Sequence, residues 1–236
     1  MLAARAEQNE QSTCAFEVAG AELVADPAGI AFWPEEKCLI VSDLHLEKGS
    51  SFARRGQMLP PYDTGATLAG LQRVMDFWKP EMVIALGDSF HDKDASSRLP
   101  PACRRHLSAM ASSCDWIWIS GNHDPDPPED LAGLVADELA IGPLVFRHEP
   151  TRNGGPGEIS GHLHPAAKIT VQGRSIRKRC FATSRKRLIM PAFGAFTGGL
   201  NVLDKAYDGL FDQRDFYALM LGNDQVFALS ARRLKR

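Results

Sequence analysis

The sequence lacks the features that mark several whole classes of protein. Its five cysteines are widely scattered and never form a CxxC pair, which argues against a disulfide framework and against a cysteine-built zinc site. No apolar run approaches the roughly 18 residues that cross a bilayer. The opening stretch MLAARAEQNEQS also lacks the apolar centre of a secretory signal. We therefore expect a soluble, cytoplasmic protein that does not bind membranes.

The chain also carries little excess charge of either sign. Its 27 Lys and Arg against 29 Asp and Glu leave a net charge of −2, whereas proteins that coat nucleic acid usually have a clear basic excess. Binding of a polyanion must therefore be local. The candidate is the basic segment 174–187, which carries Arg174, Arg177, Lys178, Arg179, Arg185, Lys186 and Arg187. Such a cluster can hold a phosphate backbone, and a solvated hairpin explains it equally well.

Length and composition favour one α/β domain. The chain has 236 residues, of which 44% are apolar and 24% charged, and these are values typical of a globular protein. The polar residues 1–13 are predicted to form a disordered tail. Residues 14–236 alternate strand-like and helix-like segments without a repeat or a low-complexity linker, which predicts a single domain.

The periodicity of apolar residues predicts which segments are helices and which are strands. TLAGLQRVMDFWKP, RRHLSAMASSC and PEDLAGLVADEL are predicted to be helical. CLIVSD, MVIALGD, WIWISGNHD, PLVFRHEP and GEISGHLHP each join an apolar run to a loop, which is typical of a strand and the turn after it. The last third has β character interrupted by glycines.

The five strand-like runs end in DLH, GD, GNHD, RHE and GHLH. Ligands of open α/β sheets bind beyond the carboxyl ends of the strands, so these loops can converge on one place. Only His106 lies elsewhere; the other histidines are His45, His91, His123, His148, His162 and His164. A single DxH or HxH is usually structural, but the ordered combination indicates a site. The glycines before Asp88, Asn122 and His162 would allow tight turns there.

The residue types in these loops favour a metal site. Asp, Asn and His supply oxygen and nitrogen ligands without a thiolate, a set that suits manganese, iron or zinc. In an extended segment His162 and His164 point to one side, as do Asp43 and His45, although one metal need not take both members of a pair.

The ordered motifs D-x-H, G-D, G-N-H-D, H and G-H-x-H resemble the calcineurin-like metallophosphoesterase superfamily. The finer motifs DLHLEKGSSFARRG, LPPYDT, LGDSFHD, GNHDP, FRHEP, GEISGHLHPAA and PAFGAFTGGLN are similar to one bacterial branch, the ligase-associated endonucleases of the DNA damage response. The likeness runs from about Leu39 to Asn201. It implies a β-sandwich flanked by helices (αββα), with a DNA ligase and a helicase as partners; a homo-oligomer is left open.

The resemblance also implies two divalent metal ions, Mn²⁺ first, with Fe or Zn as alternatives. The implied ligands are Asp43, His45 and His164 for the first ion, Asn122, His148 and His162 for the second, and Asp88 as a bridge. We expect the bridging carboxylate to give one oxygen to each ion. His123 would be the catalytic imidazole and Asp124 its orienting partner.

The chain departs from the family pattern after the second of these strands. Many members read GDxxD, whereas GDSFHD places His91 third and Asp92 fourth after Asp88. Either residue could support the metal ligands or contact the substrate. Three arginines are further candidates for such contacts: Arg54, Arg55 and Arg147.

The predicted chemistry is the hydrolysis of a phosphodiester. Two metal ions about 3.5–4 Å apart would neutralise charge and activate water, while His123 would protonate the leaving oxygen. The leading hypothesis is a dinuclear phosphodiesterase or endonuclease that acts on nucleic acid in DNA repair. The alternatives are the same mechanism on a small nucleotide or phosphomonoester, and a non-catalytic scaffold. The scaffold is disfavoured because every candidate ligand and His123 are present.

Overall fold

The structure of the chain is a computed structural model. It describes residues 13–60, 62–124, 130–152, 154–212 and 215–236. Of the predicted tail over residues 1–13, residues 1–12 lie outside these ranges. Among the helices of the described ranges, none combines the length and the apolar character that a membrane crossing needs.

The first sheet of the described chain has its strands in sequence order. They are β1 Cys14–Val18, β2 Ala21–Ala25, β3 Ala31–Trp33, β4 Cys38–Val41, β5 Met82–Leu86, β6 Asp115–Ile119 and β7 Leu134–Ala136. β1 to β4 pair antiparallel, and β4 to β7 pair parallel. The apolar runs of β4, β5 and β6 are almost wholly buried, as expected of central parallel strands.

The second sheet contains the remaining strands. They are β8 Glu138–Ile141, β9 Leu144–Arg147, β10 Glu158–Ser160, β11 Pro165–Val171, β12 Arg174–Thr183, β13 Arg187–Ile189, β14 Leu200–Asn201, β15 Tyr217–Leu221 and β16 Val226–Ser230. Their order is β14-β11-β12-β13-β10-β9-β8, with β15 paired to β12 and β16 to β15. β10 lies parallel to both β9 and β13.

Helices cover the outer face of the first sheet. They are α1 Lys48–Arg54, α2 Asp63–Trp78, α3 Ala95–Arg98 and α4 Pro101–Ala111. Leu71 of α2 and Leu107 of α4 are fully buried in one apolar cluster with residues of the first sheet. A second cluster, which includes Phe146 and Phe181, lies between the two sheets. Burial of these apolar side chains is the main favourable term that holds the layers together.

The sandwich flanked by helices confirms the predicted fold class. The cover of the second sheet is thinner than the αββα description suggests. In the part of the chain described here, that outer face packs against a loop and two short 3₁₀ turns, Lys205–Tyr207 and Ala231–Arg233. Tyr207 is buried in this layer and donates a hydrogen bond to the Leu163 carbonyl, 3.1 Å away.

The predicted helix over PEDLAGLVADEL, residues 128–139, is wrong. Residues 128 and 129 lie outside the described ranges, residues 130–133 are irregular, and β7 and the start of β8 follow them. Gly133 has φ +123°, a conformation that ends any helix and in which a β-carbon would lie 2.7 Å from the Trp116 carbonyl oxygen. Val135 then pairs with Trp118 in the parallel sheet. Tertiary pairing therefore overrides the helical periodicity.

Candidate metal centre

The two sheets bring five strand ends to one edge of the sandwich, which we call the metal edge. The loops after β4, β5, β6, β9 and β10 carry Asp43, Asp88, Asn122, His148 and His162. The first three strands belong to the first sheet and the last two to the second. The candidate ligands therefore approach one another from opposite layers, as the strand directions predict.

One group of facing ligand atoms consists of Asp43, His45 and His164. His164 Nε2 lies 3.0 Å from Asp43 Oδ1 and 3.2 Å from His45 Nε2. His45 Nε2 lies 4.0 Å from Asp43 Oδ1. Atoms that each stand about 2.0–2.2 Å from one ion are themselves about 2.8–3.6 Å apart, so the two shorter distances fit a shared cation.

A second group consists of Asp88, His148 and His162, with Asn122 beside them. Asn122 Oδ1 lies 2.9 Å from both His148 Nε2 and His162 Nδ1. His148 Nε2 lies 3.3 Å from His162 Nδ1 and 3.4 Å from Asp88 Oδ2. All four distances fall in the range of ligands around a single ion.

Asp88 lies between the two groups and turns a single oxygen towards both. Its Oδ2 is 3.4 Å from His148 Nε2 and 4.0 Å from His45 Nε2. Its Oδ1 accepts a hydrogen bond from the His123 backbone nitrogen at 2.9 Å. Asp88 therefore reaches both ligand groups through Oδ2 while Oδ1 is held by the backbone, and its role as a bridge between two ions stays a prediction.

Asp43 is held in the same manner. Its Oδ2 accepts hydrogen bonds from Ser42 Oγ at 2.5 Å and from the His162 backbone nitrogen at 3.1 Å. Its Oδ1 is buried without a well-directed hydrogen bond in the described residues and faces His164. A buried carboxylate oxygen left without a donor is costly, and a cation bound here would compensate it. Ser42 was not among the predicted site residues, although it directly precedes the D-x-H motif.

Five candidate ligands have left-handed backbone conformations. Their φ values are 54° at Asp43, 45° at His45, 48° at Asp88, 66° at His162 and 44° at His164. Residues other than glycine rarely adopt such angles, and each costs on the order of 1–3 kcal/mol, which is found chiefly at functional sites. The D-x-H and H-x-H segments are therefore not extended, and turned backbones aim these side chains instead.

The glycines before the ligands have no room for a side chain. A β-carbon on Gly87 would lie 2.5 Å from His148 Nδ1, and one on Gly161 would lie 1.9 Å from Ser42 Oγ. One on Gly121 would lie 2.2 Å from a backbone nitrogen. Gly87 also has φ +75°. The sequence predicts tight turns at these positions, and the structure shows a positive φ only at Gly87, whereas the close approach of neighbouring groups requires glycine at all three.

Burial and the buried carboxylates shift the pKa values of nearby imidazoles in opposite directions. Burial alone would lower the pKa of His148, but its hydrogen bond to Asp88 and the charge of Asp43 raise this pKa to about 9. Burial lowers the pKa of His45 to about 3, so that this ring is neutral. The pKa of Asp88 falls to about 2, since the partners led by His148 outweigh the effect of burial. A cation bound at the centre would displace the proton from His148.

The outward nitrogens of two candidate ligands also have partners. His148 Nδ1 lies 2.8 Å from the Leu86 carbonyl oxygen and donates to it, which leaves Nε2 free to bind a metal. His45 Nδ1 lies 3.4 Å from His91 Nδ1. The His91 ring also stacks on His123, with centroids 5.4 Å apart and an interplanar angle of 15°. His91 therefore contacts both a candidate ligand and the candidate catalytic imidazole.

His123 lies beside the ligand groups and is accessible. Its Nε2 is 3.9 Å from Asp88 Oδ2, and its side chain is 42% exposed. Asp124 is buried, and its Oδ2 accepts a hydrogen bond from the Phe90 backbone nitrogen at 2.9 Å. No hydrogen bond in the described residues joins the Asp124 carboxylate to His123. Burial raises the pKa of Asp124 to about 7, and its orienting role stays a prediction.

Asp92 lies behind the centre in an ion pair with Arg98. The guanidinium donates to both carboxylate oxygens, at 2.9 and 2.7 Å, and its Nε donates to Ser50 Oγ at 3.0 Å. The hydrogen bonds from Arg98 hold the pKa of Asp92 well below its usual range. Arg98 was not predicted, since its only signal is an arginine six residues after Asp92.

The three predicted arginines differ in their surroundings. Arg54 lies 3.3 Å from Asp94 Oδ2 on the surface, and Arg55 is exposed directly after α1. Arg147 donates to Glu138 and, in the described chain, makes no hydrogen bond to the candidate ligands. Arg54 and Arg147 thus each belong to an ion pair, with Asp94 and Glu138 respectively, whereas Arg55 is exposed.

The fold divides the basic segment 174–187 between two places. β11 starts directly after His164 and runs parallel to β10 through the intervening pairings, so the β11–β12 hairpin extends beyond the metal edge. Arg174 and Lys178 are exposed on this hairpin. Arg185 and Lys186 lie in the turn before β13, at the opposite end of the sandwich. One cluster in sequence is therefore two in space.

The calcineurin-like phosphoesterase family matches residues 37–178. The solved structure of the nuclease MPE of Pseudomonas putida is 29% identical, with a TM-score of 0.71, and the match covers 92% of this chain and 100% of that one. Yfce, a phosphoesterase from E. coli, is 13% identical with a TM-score of 0.39, over 82% of this chain and 98% of that one.

A curated relative is similar over a shorter part. The probable inactive purple acid phosphatase 29 of Arabidopsis thaliana is 24% identical over 159 residues, which are 64% of this chain. The chain spans 40% of the length of that protein.

Proposed function

The chain belongs to the calcineurin-like phosphoesterase family, and from this premise we propose that it is a dinuclear metal-dependent phosphodiesterase that cleaves nucleic acid. The observation that carries the proposal is the pair of ligand groups that meet at Asp88 Oδ2. The similarity to a nuclease of Pseudomonas putida over nearly the whole chain supports the substrate class. We treat residues 14–236 as one catalytic domain.

The residues present suit two divalent ions, Mn²⁺ first and Fe or Zn as alternatives. The residues that would hold them are Asp43, His45 and His164 for one ion, Asn122, His148 and His162 for the other, and Asp88 for both. When bound, such ions neutralise the phosphoryl oxygens and activate water.

The chain itself would supply the proton and the alignment. His123 is accessible and is not needed as a ligand, so we assign it the transfer of a proton to the leaving oxygen. His91 would keep the His45 ring oriented from behind. Asp124 would hold the loop of His123 against the β5 loop through its bond to Phe90. Asp92 would support the β5 loop through its ion pair with Arg98.

The exposed cations of the metal edge would hold the substrate backbone. Arg174 and Lys178 project on the hairpin, and Arg54 and Arg55 lie close after the first ligand loop. Contacts of this kind position a phosphate chain without reading its sequence. Resemblance to the ligase-associated branch supports a cytoplasmic role in DNA repair beside a DNA ligase and a helicase.

Hydrolysis assays in Mn²⁺ test the proposal. Wild-type protein should cleave bis(p-nitrophenyl) phosphate and an oligonucleotide faster than the monoester p-nitrophenyl phosphate. His123→Ala should slow diester cleavage by about 10²–10⁴-fold, the usual contribution of a general acid, with its metal content unchanged. His106→Ala on α4, whose imidazole bonds to Gln72 away from the centre, is the matched control and should be fully active. A metal-loaded wild type that leaves every ester intact would overturn the proposal.

A further inference from the structure

The loop Gly194–Gly199, here called the glycine loop, is fastened to the backbone of two candidate ligands. The Gly194 nitrogen donates to the Asp43 carbonyl oxygen at 3.1 Å. At the other end, the Leu200 nitrogen donates to the His164 carbonyl oxygen at 2.9 Å. The loop therefore lies beside the metal centre, although none of its residues belongs to either ligand group.

An exposed aromatic ring stands in this loop in a strained conformation. Phe196 is 51% exposed and has φ 56°, which is uncommon for a bulky residue. Within the described residues no other aromatic ring packs against it. Neither core packing nor backbone preference explains a phenylalanine here, because a glycine or asparagine would relieve the strain. Strain that persists beside an active centre points to a role outside folding.

The loop that carries Phe196 is held firmly. The Ala195 nitrogen donates to Thr67 Oγ1 at 3.0 Å, which fixes the residue before the ring to helix α2. Arg177 of β12 donates to the Gly199 carbonyl oxygen, and Arg179 Nη1 donates to the Ala192 carbonyl oxygen at 2.5 Å. The ring is thus presented on a braced loop, with cationic side chains on the hairpin beside it.

An exposed ring, adjacent cations and a phosphate-cleaving centre form the combination that binds nucleotides. Bases stack on aromatic side chains regardless of sequence, while cations track the phosphates. We propose that Phe196 is a specificity-determining residue whose ring stacks on the base of a nucleotide next to the cleaved phosphate. This inference rests on the proposed function, because it requires a nucleic-acid substrate. It adds a contact that distinguishes nucleotides from other phosphodiesters.

Two substrates with equal charge separate stacking from all other effects. One is a 12-residue oligothymidylate, and the other is an oligomer of the same length in which tetrahydrofuran replaces every nucleoside, so that phosphates remain and bases are gone. Initial rates in Mn²⁺ give kcat/KM for each. Phe196→Asn removes the ring while tolerating the positive φ, and Phe196→Trp keeps an aromatic face. Phe227→Ala on β16, where the ring is 47% exposed, is the matched control.

We expect Phe196→Asn to lower kcat/KM for oligothymidylate by about 5- to 100-fold, the usual effect of losing one base–aromatic stack. The base-free oligomer should be cleaved as by wild type, Phe196→Trp should restore the preference, and Phe227→Ala should change neither rate. Equal losses on both substrates, or no loss on either, would overturn the inference while the nuclease proposal stands. If wild type cleaves neither oligomer, the nuclease proposal fails and the inference falls with it.

Discussion

The sandwich carries buried charge at two places, and the two places differ in how that charge is compensated. At the start of β10, the buried Glu158 lies 3.4 Å from Arg187 Nη1 and 3.9 Å from Arg147 Nε. At the metal edge, the buried Asp43 and Asp88 form ion pairs, within the described residues, only with imidazoles. Guanidinium groups neutralise the first cluster, and no Lys or Arg among the described residues forms an ion pair with the second.

This difference indicates that the buried charge of Glu158 is structural and that the buried charges of Asp43 and Asp88 are functional. A buried ion pair offsets most of its desolvation cost only when both partners are present. Glu158 has two guanidinium groups of the chain as its ion-pair partners. Asp43 and Asp88 instead face imidazoles whose nitrogens point at one another, an arrangement that a divalent cation would stabilise. We therefore expect the cluster of Asp43 and Asp88 to require a bound metal, and the cluster of Glu158 to be independent of metal.

The largest effect that tests this comparison is expected from Asp88→Ala. Because both ligand groups meet at Asp88 Oδ2, its removal should empty the centre of metal. Diester cleavage should then fall further than in His123→Ala, for which a loss of about 10²–10⁴-fold is expected. Metal analysis after gel filtration, together with diester kinetics, measures both outcomes. A variant that keeps its metal and its activity would remove the basis for treating the two clusters differently.

Glu158→Ala is the matched control at the other cluster. It leaves the buried Arg187 without its partner, and breaking such a pair costs about 3–5 kcal/mol of unfolding free energy. Chemical denaturation should show this loss, while the metal content of the folded protein stays at the wild-type value. Loss of metal in this variant would mean that the two clusters are not independent.

A smaller effect, on oligonucleotide binding, is expected to differ between the basic residues at the two ends of the sandwich. Arg174→Ala with Lys178→Ala removes cations from the hairpin, whereas Arg185→Ala with Lys186→Ala removes two from the opposite end. Each phosphate contact that is lost should reduce the slope of log affinity against log salt by about 1. Oligonucleotide binding measured at several salt concentrations should show this smaller slope only in the variant with Arg174→Ala and Lys178→Ala. Equal slopes for both double variants would indicate that the basic segment is a solvated surface that does not contact phosphates.

The ligand loops were predictable because each directly follows an apolar strand-like run. Their convergence was expected from the rule that ligands bind beyond the carboxyl ends of strands in an open sheet, whereas the structure places His148 and His162 on the second sheet and Asp88 on the first. The backbone of these loops was not predictable, since a φ of 54° at Asp43 has no signature in residue type. Asp88 Oδ2 faces both ligand groups while Oδ1 accepts a hydrogen bond from the His123 backbone, an orientation that only the fold reveals.

The remaining features could not be predicted because they depend on how distant segments of the chain are placed in the fold. Lys178 and Arg185 are seven positions apart in sequence, yet β12 carries them to opposite ends of the sandwich. The helix predicted at residues 128–139 failed because Gly133 breaks it and β6 recruits Val135 as a neighbouring strand. Phe196 lay within a motif that was recognised, but its exposure and strain are properties of the folded loop.

The central claim is that the metal edge binds two cations through ligands from both sheets. Titration of Mn²⁺ into chelator-treated wild-type protein, followed by calorimetry, tests it most directly. We predict saturation at two ions per chain, accompanied by release of protons as His148 gives up its proton. Saturation at one ion, or no binding at all, would contradict the account.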